Sequence, residues 1–546
     1  MTTPVKVAVV GSGLAGLTAA YLLSKELKGH AARYEVHIFE KASSLGMDAH
    51  SVSLSPEGVG EEWRVDVPMR SFQGGYYPRL MTLYKNLGVT FRKSDFSYSF
   101  SVAAPTISGC YTIVSSMIYN GASGLRGVSM PSAMKAQYQE TKEMLPRLLM
   151  QLFTFTLFAL STLQLLYNYV RLVLLSAPVL RSRQTPHMTF HEWAQYSAPS
   201  GSLARLIGMD AAWLEFLGSV VTPLFSAVCT ASEHDIMQHP VEEFLDYIWL
   251  TLFTHHYVVN NGVRDVVKRL SAPLENVHVS STITGIRPDS SDPSLVTLEW
   301  ADAQGSKHTY DGFSHIIFAT QANHASELLS GYLSNLPRNS THSEFVRQQV
   351  QCLKTFTYKP TIVINHTDDS LLPENPSDRR DLNLIRMSDD ASRSKPLSPS
   401  SEPGSLCVSP SYTMATHRLR KPSNADSRAS AVFQTTNPIV SPREESVLSI
   451  AKMERAILTL DAKKALQDLY IADQHPQVPG GQTSLGSGRL GRLQGTPRHG
   501  EREVPGIWLC GSYAYQGIPL LEGCVVSAAN VVEQGILMRD STSSSI

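Results

Sequence analysis

Six residues near the N-terminus, Gly11-Ser12-Gly13-Leu14-Ala15-Gly16, constrain this chain more than any other segment. They follow VKVAVV (5–10), which reads as a buried parallel strand, and open LAGLTAAYLLSKEL from Leu14, which reads as a helix. EVHIFE at 35–40 reads as a second short strand, so the three segments form a β-α-β unit. Phosphate binding needs glycine at these positions. Gly11 permits the tight turn, Gly13 lets the backbone approach a pyrophosphate, and Gly16 lets helix and strand pack closely. The free N–H groups and dipole of the helix N-terminus favour the phosphate charge. The expected cradle is therefore Gly11, Ser12, Gly13, Leu14, Ala15 and Gly16. Glu40 ends the second strand, 24 residues after Gly16, where a carboxylate can accept hydrogen bonds from ribose hydroxyls and would repel a 2′-phosphate. Lys41 follows it and is counted with the cofactor-binding positions. A glycine-rich turn without a ligand is the bland alternative; strand, helix and acidic residue in register weigh against it. The glycines also account better than a signal peptide for Lys6 and the apolar run Val7 to Leu23. The fingerprint alone does not decide between NAD and FAD.

At 546 residues the chain is too long for one compact core, so two or more domains are expected. Hydrophobic residues at 42% and charged residues at 17% suit a folded protein, and a net charge of -1 gives no reason to expect nucleic acid as a partner. Cys110, Cys229, Cys352, Cys407, Cys510 and Cys524 form no CxxC pair and no zinc pattern. Their scatter reads as reduced thiols in a cytoplasmic setting.

Strand signals thin out after about residue 100, and 134–256 reads as mainly helical. VNNGVRDVVKRL from Val258 suggests a turn and a helix, VHVSSTITGI from Val277 a strand, TLEWADAQGSKHTY from Thr297 a hairpin, and HIIFAT from His315 a buried strand. Residues 388–409, rich in Ser, Pro, Asp and Arg, read as a disordered surface insertion. A second loose stretch spans 474–504, and the terminal STSSSI reads as a tail.

Residues 507–529, IWLCGSYAYQGIPLLEGCVVSAA, resemble the closing motif of the FAD-dependent amine oxidases. The resemblance implies that Gly511 and Ser512 contact the ribitol and pyrophosphate region, and that the backbone around Leu521 and Glu522 lies near flavin N1 and O2. It also implies that the backbone near Ile283 contacts the adenine and that HIIFATQANHA is the return strand. Independently of the family, a helix N-terminus at that place would stabilise the negative charge of a reduced flavin. RVDVPMRSFQGGYYPRLMTLYKNLGV from Arg64, SYSFS at 97–101 and NHTDDSLLP from Asn365 resemble a branch of predicted NAD/FAD-binding, amine-oxidase-like proteins, in patches over most of the chain. Leu45-Gly46-Met47-Asp48-Ala49-His50 departs from the family's Gly-Gly or Gly-Ala-Arg turn, and the family's lysine near flavin N5 has no clear counterpart. No flavin-tethering sequence is present, so FAD is expected to be held non-covalently.

Residues 148–170 (LLMQLFTFTLFALSTLQLLYNYV) contain no charge, no Gly and no Pro, and Arg147 and Arg171 bracket them. As a helix they would span roughly 35 Å, enough to cross a bilayer, with Tyr167 and Tyr169 suited to a headgroup interface. A single crossing would separate Gly11–Glu40 from Ile283 and Gly511, which must meet. Three readings stay open: an in-plane or dipping anchor, a buried helix of the substrate domain, and a hairpin with two crossings. Gln151, Gln164 and Asn168 weaken a fully lipid-exposed role.

Among acid–base candidates, His366 and Asp368 end a probable strand, His50 and Asp48 lie near the flavin end of the first domain, and Asp66 and Arg70 fall in a family-like segment. The bland reading is preferred for His366 and Asp48, and the catalytic residues are left unknown. His255 and His256 are paired without metal-ligand spacing.

The expected fold is α/β: a discontinuous Rossmann-type FAD-binding domain with an α+β substrate domain. FAD-binding segments are placed at 1–100, 257–325 and 500–540, a mainly helical lid region at 101–256, and the substrate domain at 326–499. The expected function is hydride transfer from a hydrophobic small molecule to FAD by an oxidase, dehydrogenase or desaturase. The alternatives are a flavin-dependent isomerase or mutase without net redox change, and a membrane-associated module that keeps FAD only for structure.

Overall fold

The structure is a computed structural model and describes residues 4–25, 33–48, 50–54, 62–68, 71–106, 111–121, 124–139, 143–388, 406–420, 431–472, 486–497 and 504–543. Most of the proposed insertion, Arg70 and much of 474–504 lie outside these residues. The tail does too, except that Ser541–Ser543 complete the helix Leu537–Ser543.

Five parallel strands make one sheet, in the order Asn276–His278, Tyr34–Phe39, Val5–Val10, His315–Phe318, Gly506–Leu509. Val5–Val10 is central, with Val7 opposite both Val36 and His315. Its side chains alternate between two apolar layers. Val7 and Val9 pack with the helices Leu14–Ser24 and Leu521–Asn530, and Ala8 and Val10 pack with Ala322–Ser334 and Thr341–Leu353. Cover on both faces is why the strand reads as an uninterrupted apolar run. This is the discontinuous Rossmann-type domain of an α/β protein, assembled from three stretches of chain.

The second sheet has eight strands, in the order Val447–Ile457, Thr357–His366, Phe433–Thr436, Met414–Arg418, Leu382–Met387, Tyr98–Pro105, Tyr111–Tyr119, Val128–Ser129. Its last three strands correct the expectation that strand signals thin out after residue 100. Ser99, Ser101 and Ser115, in SYSFSVAAP and TIVSSMIY, look solvated in sequence but are buried and paired. Ser99 Oγ donates to Asn383 Oδ1 at 2.7 Å, and the hydroxyls of Ser101 and Ser115 lie 3.0 Å apart. The expected hairpin is present, with Val296–Ala301 antiparallel to Lys307–Phe313. VHVSSTITGI is two strands rather than one. Asn276–His278 joins the parallel sheet, Ser280 turns with φ 51°, and Thr282–Pro288 joins the hairpin. The turn is fixed by Ser280 N–H donating to Ala42 O and Ser281 N–H to Glu40 O, each at 2.8 Å.

Among the described residues, two helices are long and apolar enough to cross a membrane, Met144–Ser176 and Met209–Cys229. The first is not a buried helix. Thr154, Asn168, Leu172 and Ser176 are its buried residues, and 6% of its most apolar stretch is covered. Its C-terminal third docks on the body. There Asn168 Nδ2 donates to Ala212 O at 3.2 Å, and Arg171 Nη2 to Ser197 O at 2.6 Å. The second, 44% buried in its most apolar stretch, is interrupted by a π turn at Leu217–Val221 beside Pro223, which has no N–H for the helical ladder.

Candidate functional site

The glycine loop has the backbone its sequence demands. Gly11 sits at φ +95°, which favours glycine. A Cβ on Gly16 would lie 1.9 Å from Gly11 O, whereas a Cβ on Gly13 would meet nothing within 4 Å. Gly16 is thus the packing glycine and Gly13 the open one. Gly13, the N-cap of the helix Leu14–Ser24, has no side chain to cap it, and Gly13 itself is exposed. Leu14 and Ala15 are buried at the start of this helix. The space above Gly13 and the uncapped helix end together fit a dinucleotide diphosphate.

Ser12 braces this loop. Its N–H and hydroxyl donate to Glu40 Oε2 at 3.0 and 2.6 Å, and its Oγ accepts from Gly46 N–H at 2.8 Å. Ser12 is fully buried. Its N–H is therefore spent on Glu40 and is not a phosphate donor. Glu40 Oε1 also accepts from Ala42 N–H at 2.9 Å, which leaves accepting capacity on that oxygen for a ribose hydroxyl. Lys41 is exposed at the bend that follows. Ile283 lies in the strand Thr282–Pro288 opposite Trp300, two residues beyond Ser281.

At the other end, Gly511 follows the strand Gly506–Leu509 with φ +150°. Its N–H donates to Ser527 Oγ at 2.9 Å, and that hydroxyl donates back to Gly511 O at 3.0 Å. The helix Leu521–Asn530 begins at Leu520 without a side-chain cap. Glu522 points away from that end. Its Oε1 and Oε2 accept from Arg79 N–H and Leu80 N–H, each at 2.9 Å, and so cap the helix Pro78–Asn86. Burial pushes its carboxyl up to about 7, against the pull of those two N–H groups.

Between this C-terminal segment and the eight-stranded sheet lies a cavity of about 240 Å³. Ser512, Leu520, Leu521 and Cys524 form one wall, and Leu382, Ala415, Gln434 and Thr436 the opposite one. Tyr77, Phe96, Tyr98 and Tyr247 supply aromatic lining, and the charged residues are Asp235 and Arg455. His239, His256 and His417 also line it, each pushed down to about 4 by burial. A wider hollow beside His191, Glu233 and Arg386 contains none of the loop residues.

The sequence candidates separate cleanly. His256 reaches the cavity, whereas His255 Nδ1 pairs with Asp95 Oδ2 at 2.7 Å. His366 is buried in the sheet against Thr435 Oγ1 at 2.7 Å, away from the cavity lining. Asp368 caps Ser370 N–H and pairs with Arg443 at 2.9 Å; burial works to raise its pKa, but those hydrogen bonds hold it well below the carboxylate range. Asp66 caps the helix Gly262–Ser271 through Val263 N–H at 3.1 Å. His50 is exposed. Sequence reading missed His239 and His417, whose neighbours carry no motif. Among the described residues no metal-binding group of His, Cys, Asp or Glu occurs.

A parallel sheet with a glycine loop between its first strand and helix, roofed by a second sheet over a cavity, defines a Rossmann-type α/β protein. Residues 9–87 match the NAD(P)-binding Rossmann-like domain family. No curated protein sequence matches the chain. Among solved structures, a cyclohexylamine oxidase from Brevibacterium oxydans IH-35A aligns over 99% of this chain and 100% of its own, with TM-score 0.50 and 11% identity. An oxidoreductase from Methanosarcina mazei aligns over 97% and 100% at TM-score 0.45 and 12% identity. A putrescine oxidase bound to putrescine aligns over 98% and 99% at TM-score 0.45 and 13% identity. At such identities the likeness to the cyclohexylamine oxidase is one of fold, and it extends over both domains.

Proposed function

We propose that this protein is an FAD-dependent oxidoreductase of the amine-oxidase type acting on an apolar small molecule. One arrangement carries the reading: two uncapped helix N-termini, one under the open face of Gly13 and one at the cavity, in helices packed against each other. FAD, when bound, would supply the acceptor for a substrate hydride. The chain's own residues bind and orient. The N-terminus of Leu14–Ser24 would hold the diphosphate and Glu40 Oε1 a ribose hydroxyl. Gly511 and Ser512 would flank the ribitol, the backbone near Ile283 the adenine, and the N–H groups at Leu521 and Glu522 would face developing negative charge on the ring. The aromatic and aliphatic lining would exclude water and favour an apolar substrate.

The exposed length of Met144–Ser176 supports association with a bilayer as an in-plane or dipping anchor. The Rossmann-type sheet uses strands from both sides of this helix, so one crossing would divide the sheet. Among the described residues, Cys229, Cys352, Cys407, Cys510 and Cys524 are not joined by disulfides.

Purified protein should be yellow and should release FAD on heat denaturation, identified by mass. Anaerobic cyclohexylamine, or a longer apolar amine, should bleach the flavin absorbance. A colourless, flavin-free protein would overturn the reading. Cell fractionation should find the protein partly in the membrane pellet and release it with detergent.

A further inference from the structure

The interdomain cavity holds two buried acceptor atoms with nothing to accept from. His239 is 2% exposed, and its ring stacks on Phe244 with centroids 4.2 Å apart. Its Nδ1 lies 2.9 Å from Pro240 O. A carbonyl only accepts, so Nδ1 carries the hydrogen, and in the neutral ring Nε2 is left with a bare lone pair. That atom is buried and has no hydrogen-bond partner. Burial is the main reason the ring stays neutral, and the nearby Lys463 ammonium adds to it. Gln73 lines the same cavity at 7% exposure. Its Nε2 is directed at Thr251 O, 3.5 Å away, and its Oε1 has no partner.

Leaving a buried acceptor unpaired is costly, and a donor group on a ligand is one way to complete it. Here two such acceptors belong to residues that line one cavity.

We infer that His239 Nε2, assisted by Gln73 Oε1, receives the hydrogen bond of an O–H or uncharged N–H group on the substrate. The inference deepens the reading of the cavity as the substrate site. It assigns the substrate an apolar body with one donor headgroup, an alcohol or a neutral amine. His239 thereby becomes the residue that fixes which substrate carbon faces the C-terminal helix. An apolar molecule without a donor would leave both acceptors unpaired and bind more weakly.

The test is equilibrium binding of two probes of like shape, 1-hexanol and 1-methoxyhexane, to the purified protein as isolated, followed by intrinsic tyrosine and tryptophan fluorescence. Wild type should bind 1-hexanol about three- to tenfold more tightly than the ether, the worth of one hydrogen bond. His239→Phe keeps the stacked ring and removes the acceptor, so the preference should vanish. His239→Gln restores an acceptor and should recover part of it. Thermal melting checks that each variant is folded, and Gln73→Met provides a second route if His239→Phe is not. Equal binding of both probes by wild type would overturn the inference, as would a preference that survives His239→Phe or disappears only in Gln73→Met. FAD release is measured on the same samples. Its absence would overturn the oxidoreductase reading while leaving the probe comparison readable.

Discussion

The helices Leu521–Asn530 and Met144–Ser176 are both apolar, yet they sit at opposite extremes of burial. In the first, Val525, Val526, Ala528 and Ala529 are fully covered; in the second, Leu152, Leu160 and Leu163 are each more than half exposed. Side-chain size explains the difference. Leu521–Asn530 carries Gly523, Ser527, Ala528 and Ala529, and Leu14–Ser24 carries Ala15, Gly16, Ala19 and Ala20, so the two helices lie close within one core. A Cβ on Gly523 would come 2.9 Å from Ser512 O. Met144–Ser176 has Leu, Phe and Tyr around its whole circumference, and one groove in a protein covers only a stripe of such a cylinder. Apolar content alone therefore does not put a helix inside; small residues on the contact face do.

The contrast can be broken most directly with charge. Val525→Lys places an unpaired ammonium in the core and should cost about 3–5 kcal/mol, seen as a collapse of soluble yield and of the denaturation midpoint. A variant that unfolds with wild type would show that this helix is not core. Gly16→Val should cost on the order of 3 kcal/mol by overpacking against Gly11 O, and flavin content should fall with it.

Glu522 sharpens the comparison through pH. Its folded-state pKa is raised from 4.5 to about 7, so the stability linked to its protonated form is present below 4.5 and lost as pH rises through about 7. Wild type should therefore lose melting temperature relative to Glu522→Gln between pH of about 5 and 8. A constant difference across that window would refute the assignment. Ser527→Ala, which removes the hydroxyl bridging Gly511 N–H and O, should cost about 1–2 kcal/mol by thermal melting. The smallest effect on stability is expected from Leu160→Lys on the exposed helix, within about 0.5 kcal/mol of wild type, while the membrane-pelleted fraction drops.

The first parallel unit was legible because its signals are local. The strand at 5–10, the helix from Leu14 and the strand near 35–40 each follow from a run of residues plus a glycine whose geometry is dictated by its neighbours. The C-terminal segment was legible through resemblance, and Ser512 and Leu521 do line the cavity. The eight-stranded sheet was not. Tyr98–Pro105 pairs with Leu382–Met387 across 284 residues, and its buried serines alternate with apolar positions as they would on a solvated face. His239 was invisible for a different reason. Its environment depends on Pro240 O fixing the tautomer and on Phe244 five residues later, and neither the histidine nor its neighbours form a pattern along the chain. His366, which did stand out, is occupied by Thr435 inside the sheet.

Glu522 rests on backbone groups made 442 and 443 residues earlier, and Gly506–Leu509 closes the edge of His315–Phe318. While translation is still short of residue 506, that edge stays open and Pro78–Asn86 lacks its carboxyl cap. Open strand edges recruit other chains. Products truncated before Gly506 should therefore aggregate more readily than the protein that carries this strand, however much of the cavity they contain.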